Sequence, residues 1–452
     1  MDKRLISQLF EYFKASYGLK IDDERDLFES QRDMLECVMC VGRELEQKLF
    51  GQLGKGYEGA TIEEEGRKYR FVGYRETTIH GLFGPISYER AYYVEVERKA
   101  GSRIPLDEKL GIEKRHTPGM NYFLSSFTGR EAYQESLRRF HEIFRPDGKH
   151  LVSMRKALDL DYALGEKIEQ KRQEEIRVVF EQGGTVEVQR GVRGWMAVSV
   201  DATKVREKQG EYVDSDGKRR YEVGFRDAKI GVISQVSWDE QRSEAHCVES
   251  SYVGGIEHAD EFFRRVWVEM NRRVEEAEKA DIVFLGDGAK WIWDRVGELA
   301  NEHSIEILDF YHAAEHLSSV CKLLYGEQTE EYGQQFGRWR EMLLRGEVAE
   351  VITELKGLRN ESRGKKRKAV QGEITYFEDN EGRMHYERYR AMHLPIGSGT
   401  VESSCKNVIG ARMKQGGMTW SESGAKGMLQ IRTSLAAGRF LQDFRDTLRC
   451  AA

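Results

Sequence analysis

Long hydrophobic runs are missing from this 452-residue chain. No apolar stretch approaches the roughly 18 residues that a membrane-spanning helix needs. The segment from Met1 to Phe10 lacks the basic, apolar and small-residue order of a secretory signal. The sequence therefore predicts a cytoplasmic protein with no membrane partner.

Cysteine and net positive charge are also scarce. Six cysteines, most of them far apart, argue against a secreted disulfide framework and predict reduced thiols. The formal net charge is −6, so the molecule as a whole does not carry the signature of a nucleic-acid-binding protein. Any DNA-binding surface must come from local clusters of lysine and arginine.

What the chain does contain is typical of a folded globular protein. Charged residues make up 33% and hydrophobic residues 39% of the sequence, which favours a packed core over disorder. At roughly 150 residues per domain, the length predicts two to four domains.

The N-terminal half mixes helical and strand patterns. Apolar residues recur at three- and four-residue spacing from Leu5 to Leu53, which predicts an amphipathic helix. Arg67 to Val96 is rich in Tyr, Phe, Val, Ile and Thr and is interrupted by glycines, which predicts two or three short antiparallel strands.

A pair of helices follows, and it is a candidate helix-turn-helix. The predicted helices are Arg130–Phe144 and Lys149–Gln173, joined by the turn Arg145–Gly148. The segment from Arg130 to Lys156 contains seven Lys or Arg and four Asp or Glu, so the helix pair carries local positive charge. A helical pair that merely bridges two domains remains an alternative interpretation.

The second half alternates strands and helices in a definite order. Trp195–Asp201 predicts a central strand, with Tyr221–Val236 and Ser243–Val253 as antiparallel neighbours. The elements predicted next are the helix His258–Glu278, the strand Asp281–Gly286, the helix Trp291–His303, the strand Ile305–Tyr311, mostly helix from Ala313 to about Tyr389 with the basic run Arg363–Lys368 inside it, and a last helix from about Thr400. Three antiparallel strands followed by parallel βα units are the order of a ribonuclease H-like α/β fold.

Composition shifts divide the chain into five predicted segments. They are a helical and small β region (1–116), a helical DNA-binding region with the helix-turn-helix candidate (117–183), the first part of the α/β core (184–312), a helical insertion (313–394) and a C-terminal helical part of the core (395–452). The predicted fold class is thus α/β, ribonuclease H-like with a helical insertion, preceded by a mixed α+β region.

Three acidic residues lie where a metal-dependent phosphoryl transferase needs them. Asp201 ends the first strand of the sheet, Asp287 follows the strand Asp281–Gly286, and Glu402 lies near the start of a helix. Two divalent ions about 4 Å apart require such carboxylates as ligands. Since the chain holds 77 Asp and Glu, an ordinary surface role for each acid stays open on spacing alone.

The sequence motifs around these acids resemble those of a known family. The motifs are VSVDATKV, FLGDGAKWIWD, DFYHAAEHL, PIGSGTVESSCKNVIGARMKQGGMTWSESGAKGMLQIR and, further upstream, GYRETTIHGLFGPISYERAYY and PLDEKLGI. They are similar to transposases of the ISKra-type bacterial insertion sequences, which are relatives of the Mutator-like elements. The most specific motif starts at Pro395, and the resemblance runs from Gly73 to the C-terminal region.

The resemblance implies a DDE transposase. It implies a ribonuclease H-like catalytic domain with Asp201, Asp287 and Glu402 as its acidic triad, two Mg²⁺ or Mn²⁺ ions, and terminal-repeat and target DNA as partners. By analogy, a homodimer or larger homo-oligomer holds the two DNA ends, in the bacterial cytoplasm at the nucleoid.

Several further residues are candidates for contacts with DNA. His312 fits the Asp-x-x-His pattern of Mutator-like enzymes and is a candidate to bind the scissile phosphate or orient a carboxylate, or else is a satisfied histidine at a strand end. Trp291 and Trp420 are candidates to stack on unpaired bases, with a core role favoured for Trp291 and both roles open for Trp420.

Basic residues near Glu402 and in the helix-turn-helix candidate complete the predicted DNA interface. Lys406, Arg412 and Lys414 are candidates for phosphate contacts, with a solvated helix face as the alternative. Arg155 and Lys156 lie on the predicted recognition helix.

One departure from the family concerns zinc. Its members often carry Cys-x-x-Cys pairs before the PLDEKLGI segment, but this chain reads YYVEVERKAGSRIPLDEKLGI there. Its one Cys-x-x-Cys, Cys37 to Cys40, lies in the amphipathic helix without a second pair, and structural zinc needs four ligands. The sequence predicts no structural zinc.

Three functions remain after the sequence is considered alone. The first is an active transposase that binds insertion-sequence ends and performs metal-dependent cleavage and strand transfer. The second is an inactive, transposase-derived DNA-binding protein, against which the presence of all three acids argues. The third is a ribonuclease H-like nuclease that acts on branched DNA.

Overall fold

A computed structural model describes residues 3–17, 24–64, 66–97, 101–144 and 152–449. The protein is mixed α/β, with about 55% helix and two sheets. The chain forms two compact units: Met1–Lys167 together with Phe440–Ala452, here called the first unit, and Ile168–Arg439, the second unit. Among the described residues, no helix is long and apolar enough to cross a membrane.

The first unit combines helices with a four-stranded antiparallel sheet. Its elements are α1 (Lys3–Tyr17), α2 (Glu24–Gln52), β1 (Thr61–Glu64), β2 (Arg67–His80), β3 (Pro85–Glu95), β4 (Ser102–Arg103), α3 (Pro105–Lys109), α4 (Pro118–Thr128), α5 (Tyr133–Phe144) and the start of α6 (Met154–Glu181). The strands pair in chain order, β1-β2-β3-β4. Strand β3 alternates buried and exposed side chains, which is the pattern of a sheet with one face on a core.

The sequence underestimated the length of these strands. Within Arg67–Val96, where two or three short strands were predicted, the structure has two, β2 and β3, of 14 and 11 residues, and β1 and β4 lie outside that range. The single predicted N-terminal helix is two helices, α1 and α2. Cys37 and Cys40 both lie on α2, in agreement with their interpretation as helix residues.

The helix-turn-helix candidate is described only in part. Helices α5 and α6 exist, but α6 begins at Met154 instead of Lys149, and the predicted turn lies outside the described residues. On α5, Arg138 and Arg139 are bound by Glu135, at 2.6 and 3.0 Å, so this face is less positive than the residue count suggests. The helix-turn-helix interpretation stays a prediction.

The second unit contains the larger sheet and most of the helices. Its elements are β5 (Met196–Val213), β6 (Arg219–Asp239), β7 (Glu244–Gly255), α7 (Ala259–Asn271), β8 (Ile282–Gly286), α8 (Lys290–Leu299), β9 (Ser304–Leu308), α9 (Phe310–Tyr325), α10 (Glu330–Leu344), α11 (Val348–Glu361), α12 (Gly364–Asn380), α13 (Tyr386–Ala391), α14 (Gly399–Ser404), α15 (Ala411–Met413) and α16 (Glu422–Ala436); α17 (Phe440–Arg449) belongs to the first unit. A 3₁₀ turn covers Ala277–Lys279 and another covers Glu381–Arg383.

The five strands of this sheet have the order β7-β6-β5-β8-β9. Strand β6 is antiparallel to β5 and β7, whereas β5, β8 and β9 run parallel. The central strand and its antiparallel neighbours are those that the sequence predicted. Strand β5 is much longer than the predicted Trp195–Asp201, whereas β6 is close to the predicted Tyr221–Val236. The two strands continue as a two-stranded hairpin, paired as far as Val213 and Arg219.

The predicted helical insertion shares its core with the sheet. Residues of β5 and β8 are buried in the same hydrophobic cluster as Trp339 of α10, Leu355 of α11 and Phe377 of α12. The continuous apolar run of β8 follows from this arrangement, because a strand covered on both faces has no side that must be polar.

A buried ion network also stabilises the second unit. Glu269 of α7 is 2% exposed, and both of its oxygens lie 2.7 Å from Nη1 of Arg439. Arg272 lies 3.3 Å from Glu269 and 2.8 Å from Glu175 of α6. Burial alone would raise the pKa of Glu269, but the charges of Arg439 and Arg272 outweigh burial and lower it.

Candidate active site

Three aspartates lie at the carboxyl ends of the parallel strands. Asp287 directly follows β8 and Asp309 directly follows β9. Asp201 lies on β5, two residues beyond Ser199, the last residue that pairs with β8. Because the carboxyl ends of parallel strands share one edge of a sheet, these side chains come to the same edge, where ligands of α/β proteins bind.

Asp309 has a structural role at this edge. Its side chain is 2% exposed and caps α9 by accepting a hydrogen bond from the backbone N–H of His312 at 2.7 Å. Its other oxygen accepts from the backbone N–H of Ser398 and from the Ser398 hydroxyl, the latter at 2.5 Å. Asp309 thereby fixes the segment that leads into the helix of Glu402.

That helix is an irregular run from Gly399 to Met413. It begins as α14, continues as a π-helical segment (Cys405–Gly410) and ends as α15. Arg432 of α16 donates to the carbonyls of Asn407 and Val408, the latter at 2.7 Å, and so satisfies acceptors of this segment. Isolated π turns within helices are rare and occur often at functional sites.

Glu402 and Asp201 face the same groove. The groove has a volume of about 530 Å³, and Thr203, Cys405 and Lys414 also line it. The Asp201 carboxylate accepts a hydrogen bond from the backbone N–H of the next residue, Ala202, at 2.6 Å. It is also hydrogen-bonded to the Cys405 thiol. Two of the three predicted acids therefore share one solvent-accessible cleft.

Asp201, Asp287 and Glu402 are here called the acidic cluster, in which Asp201 interacts with both of the other carboxylates. Burial and the charge of Asp287 raise the pKa of Asp201, although its hydrogen bonds with Cys405 and Ala202 oppose that rise. Burial raises the pKa of Glu402, and so do the charges of Asp309 and Asp201. His312 opposes the rise in both pKa values, so the structure places this histidine near Asp201 and Glu402.

The donors of the acidic cluster fit a hard divalent cation. Carboxylate oxygens are the ligands that Mg²⁺ and Mn²⁺ prefer. Burial and the charge of Asp201 raise the pKa of the Cys405 thiol far above its usual range, so this sulfur stays protonated and is a poor ligand for soft metals. Within the described ranges, no three His, Cys, Asp or Glu side chains are already arranged to hold a metal.

The predicted insertion supplies residues that the sequence did not single out. On α12, Tyr376 stacks on His316 with ring centroids 3.7 Å apart, and Glu373 lies 2.6 Å from the His316 ring nitrogen. Burial and the negative charges of Asp287 and Asp309 raise the pKa of the Tyr376 hydroxyl. A helical tyrosine carries no sequence signal for this position, because α12 reaches the sheet edge only through tertiary packing.

The chain matches the model of an uncharacterised protein family, UPF0236, over residues 26–446. The chain belongs to the UPF0236 family. No curated protein matches it. The match covers both units of this UPF0236 chain, so the acidic cluster and the first unit belong to one family architecture.

Of the three basic residues predicted near Glu402, two are accessible and one is buried. Lys406 and Lys414 are exposed and line the groove, and Lys414 Nζ lies 2.8 Å from the Thr203 hydroxyl. Arg412 is fully buried, with its guanidinium 5.1 Å from the centroid of the Trp420 ring. The predicted phosphate contact of Arg412 is therefore wrong for this conformation, since a side chain without solvent exposure cannot reach DNA.

Trp420 likewise lies in the interior. Its indole N–H donates to the carbonyl of Met413 at 3.0 Å, and its backbone pairs with Arg206 and Lys208 at 3.0 and 2.8 Å. Strand β5 lacks β8 as a partner at that point, so Trp420 covers its free side. Of the two roles left open for Trp420, the core role is the one in the structure, and stacking on a base is not compatible with it.

Trp291 also packs against the core. Its ring lies 6.2 Å from that of Phe263, edge to face, and the Lys229 ammonium is 6.0 Å from its centroid. The core role favoured from the sequence agrees with this placement.

The remaining predicted DNA contacts are positively charged and accessible. Arg155 on α6 is 86% exposed and lies 3.3 Å from Asp159. Burial and the charges of Lys114 and Arg115 lower the pKa of Lys156, which places three cations together in the first unit. The run Arg363–Lys368 is exposed around the start of α12. The sequence missed the contribution of Lys114 and Arg115, which lie about 40 positions before Lys156.

Proposed function

We propose that this UPF0236 protein is a DDE transposase that binds the ends of an insertion sequence and cuts and joins DNA. The observation that supports the proposal is that Asp201 shares a groove with Glu402 and interacts electrostatically with Asp287, at one edge of a sheet with the order β7-β6-β5-β8-β9. This order, with β6 antiparallel and β5, β8 and β9 parallel, supports assigning the second unit to the ribonuclease H-like folds.

Asp201, Asp287 and Glu402 would hold two Mg²⁺ or Mn²⁺ ions. When bound, such ions supply the positive charge that stabilises the attacking and leaving oxygens of an in-line displacement. Glu402 is exposed on its helix, whereas Asp201 and Asp287 are half-buried. The flexible member of the set is therefore Glu402, whose side chain is free to reorient toward a ligand shared with the aspartates.

The other groove residues have roles that follow from their charge. Lys406 and Lys414 bind phosphate oxygens of the DNA beside the scissile bond. His312 donates a hydrogen bond to the scissile phosphate or orients a carboxylate. Asp309 is a positioning residue, because it holds the start of the Glu402 helix against the end of β9.

The proposed reaction has two displacements at phosphorus. In the first, a water oxygen bonds to phosphorus as the bond to the 3′-oxygen breaks, which leaves a 3′-hydroxyl and a 5′-phosphate. In the second, that 3′-hydroxyl oxygen bonds to a target phosphorus as the bond from this phosphorus to the 3′-oxygen of the target strand breaks, and the proton lost by the attacking hydroxyl is balanced by protonation of the leaving 3′-oxygen. The first step hydrolyses one phosphodiester, the second exchanges one phosphodiester for another, and neither changes an oxidation state.

The proposed partners are terminal-repeat DNA and target DNA. Two ends must be cut in a coordinated way, so we propose a homodimer or larger assembly in the cytoplasm, at the nucleoid. The net charge of −6 confines DNA to local basic surfaces, namely the groove lysines, the exposed run Arg363–Lys368 and the first-unit cluster around Lys156.

A cleavage assay tests this function. The DNA that flanks the gene is sequenced for inverted repeats, and the protein is incubated with end-labelled duplexes of those repeats in Mg²⁺, in Mn²⁺ and in EDTA. We expect metal-dependent nicks at the repeat boundary, and joining when a plasmid target is added. The matched control is a duplex of equal length and scrambled sequence.

The outcomes separate the candidate functions. Specific binding without cleavage in either metal would identify an inactive DNA-binding protein. Cleavage of four-way or flap DNA in preference to repeat ends would identify a nuclease that acts on branched DNA. Either result contradicts the proposed transposase.

A further inference from the structure

A second, larger cavity lies beside the acidic edge in the second unit. It measures about 860 Å³, within the roughly 300–1,000 Å³ typical of pockets that enclose small molecules. Its walls come from the β6–β7 turn, from α10 and α13, and from the segment 394–400. That segment is the one that Asp309 fixes, and it ends two residues before Glu402.

Two aromatic elements face this cavity. Tyr311 follows the first residue of α9 and is 60% exposed although it borders the cavity. Trp238 is half-buried and stacks on His393, with ring centroids 3.9 Å apart and ring planes at 13°. His393 holds a left-handed backbone with φ of 58°, a conformation that costs energy and is often retained at functional sites.

Three arginines line the same cavity. Arg340 lies with its guanidinium 5.3 Å from the Phe310 ring centroid, and Arg390 is exposed on α13. In the described part of the chain, neither makes an ion pair. Arg242 has one weak partner, Asp239, at 3.9 Å, and the carboxylates in the wall are Glu244 and Glu387. The cavity thus combines arginine side chains that could bind an anion with aromatic rings on which a planar group could stack.

We propose that this cavity, here called the arginine pocket, binds one unpaired nucleotide of the DNA strand next to the cut. Unpaired bases are bound by stacking on aromatic side chains or guanidinium planes, and their phosphates by free arginines. The base stacks on Tyr311 or on the Trp238–His393 pair, and the phosphate binds Arg340 and Arg390. The proposal rests on the proposed function, since it names which part of the DNA substrate lies beside the acidic cluster.

The pocket replaces the base-stacking site that the sequence suggested. Trp420 and Trp291 are held by the core, whereas Tyr311 is an exposed aromatic side chain within the motif DFYHAAEHL. The link to catalysis is short. The Cys247 thiol in the pocket wall is hydrogen-bonded to Thr400, on the helix that carries Glu402.

The test measures binding without catalysis. A fluorescent twelve-nucleotide oligothymidylate and a duplex of the same length are titrated in EDTA with the wild-type chain, with Tyr311→Ala and with Arg340→Ala. We expect each variant to weaken single-strand binding about 10-fold, within the range of one lost base stack, and to change duplex binding by less than about twofold. Tyr212→Ala and Arg345→Ala alter exposed residues outside the pocket and should match the wild type.

A crosslink locates the base directly. A single 5-iododeoxyuridine in the same strand is irradiated with the wild-type protein, and the modified peptide is identified by mass spectrometry. We expect modification at Tyr311 or Trp238. Unchanged single-strand affinity in both variants, or a crosslink that maps to other residues, would overturn the pocket assignment.

Failure of the pocket and failure of the transposase remain distinguishable. Metal-dependent cleavage of repeat ends, together with wild-type single-strand binding by both variants, removes the pocket and keeps the transposase. Weakened single-strand binding in the variants, together with no cleavage by the wild type, keeps the pocket and removes the transposase.

Discussion

Each of the two units contains a sheet, and the two sheets differ in how they arrange their charged side chains. In the first unit, Arg90 pairs with Asp107, and Arg103 pairs with Glu108 and with Glu64. In the second, parallel strands bring Asp201 and Asp287 to one edge, where the charge of Asp287 raises the pKa of Asp201. Paired charges serve the fold, whereas like charges gathered at a sheet edge indicate a site for a charged ligand.

The two units also differ in how their buried ionisable groups are stabilised. The second unit contains the buried network around Glu269, in which each charge has a partner. The first unit contains the buried His116, which burial and the nearby cations keep neutral. The two units should therefore respond differently to mutation and to acid.

Neutralising the acidic cluster should have the largest effect. Asp201→Asn, Asp287→Asn and Glu402→Gln each remove a charge that would hold a divalent ion while changing side-chain size little. We expect cleavage of repeat ends to fall about 1,000-fold or more, with end binding nearly intact. Glu315→Gln is the matched control, because this exposed acid lies near Glu402 but outside the cluster. Near-normal turnover in any cluster variant would remove that residue from the triad.

Breaking the buried network should destabilise the second unit. Glu269→Ala leaves Arg439 and Arg272 without their shared carboxylate, and we expect the free energy of unfolding to fall by about 3–5 kcal/mol. Glu298→Ala removes an exposed partner of Arg295 and should cost less than about 1 kcal/mol. Urea denaturation followed by circular dichroism measures both variants. Equal losses would show that burial does not decide the strength of these pairs.

Acid should weaken the first unit through His116. Burial lowers the pKa of His116 to about 4 from an ordinary value of 6.5, so the folded state binds its proton less readily than the unfolded state. This contribution to stability is present above pH 6.5 and is lost as the pH falls toward 4. At 1.36 kcal/mol per pKa unit, it amounts to about 3 kcal/mol.

The variant His116→Asn isolates this contribution. The wild type should lose stability between pH 6.5 and 4 by about 3 kcal/mol more than the variant does, because other titrating groups are common to both. Denaturation curves of the two proteins across this range give the difference. Parallel pH profiles would contradict a neutral buried His116.

The basic surfaces of the two units should divide the work of binding DNA. Lys406→Gln with Lys414→Gln should weaken binding to any duplex and lower the salt slope of log K by up to ~0.9 per lost phosphate contact. Arg155→Gln with Lys156→Gln should instead reduce the preference for terminal repeats over random DNA. Titrations at several salt concentrations, on both duplexes, measure both effects. An unchanged slope in the first pair, or an unchanged preference in the second, refutes the corresponding role.

The smallest expected effect is that of treating the protein with a metal chelator. Cys37 and Cys40 lie on one helix and the chain has no second Cys-x-x-Cys, so we predict no stoichiometric zinc. EDTA should leave the unfolding midpoint in urea unchanged, and elemental analysis should find no zinc in the purified protein. One tightly bound zinc per chain would refute this prediction.

The sequence was sufficient to locate the strands of the second sheet and the aspartates at their ends. Strand β8 could be predicted because burial on both faces demands a continuous apolar run, and Asp287 marks where that run ends. In the first unit, β1 and β4 lie outside the segment Arg67–Val96 for which strands were predicted. The outer part of β5 was also missed, because it is exposed and carries no apolar pattern.

The solvent exposure of individual polar and aromatic side chains could not be predicted from the sequence, because it depends on tertiary packing. Arg412 and Trp420 looked accessible beside two glycines, but they fill the space where β5 extends beyond β8. Asp309 binds Ser398 across 89 residues of sequence, and four separate segments form the arginine pocket. Spacing along a chain reports the face of a strand or helix, whereas burial depends on what distant segments cover, and that is fixed only when the chain folds.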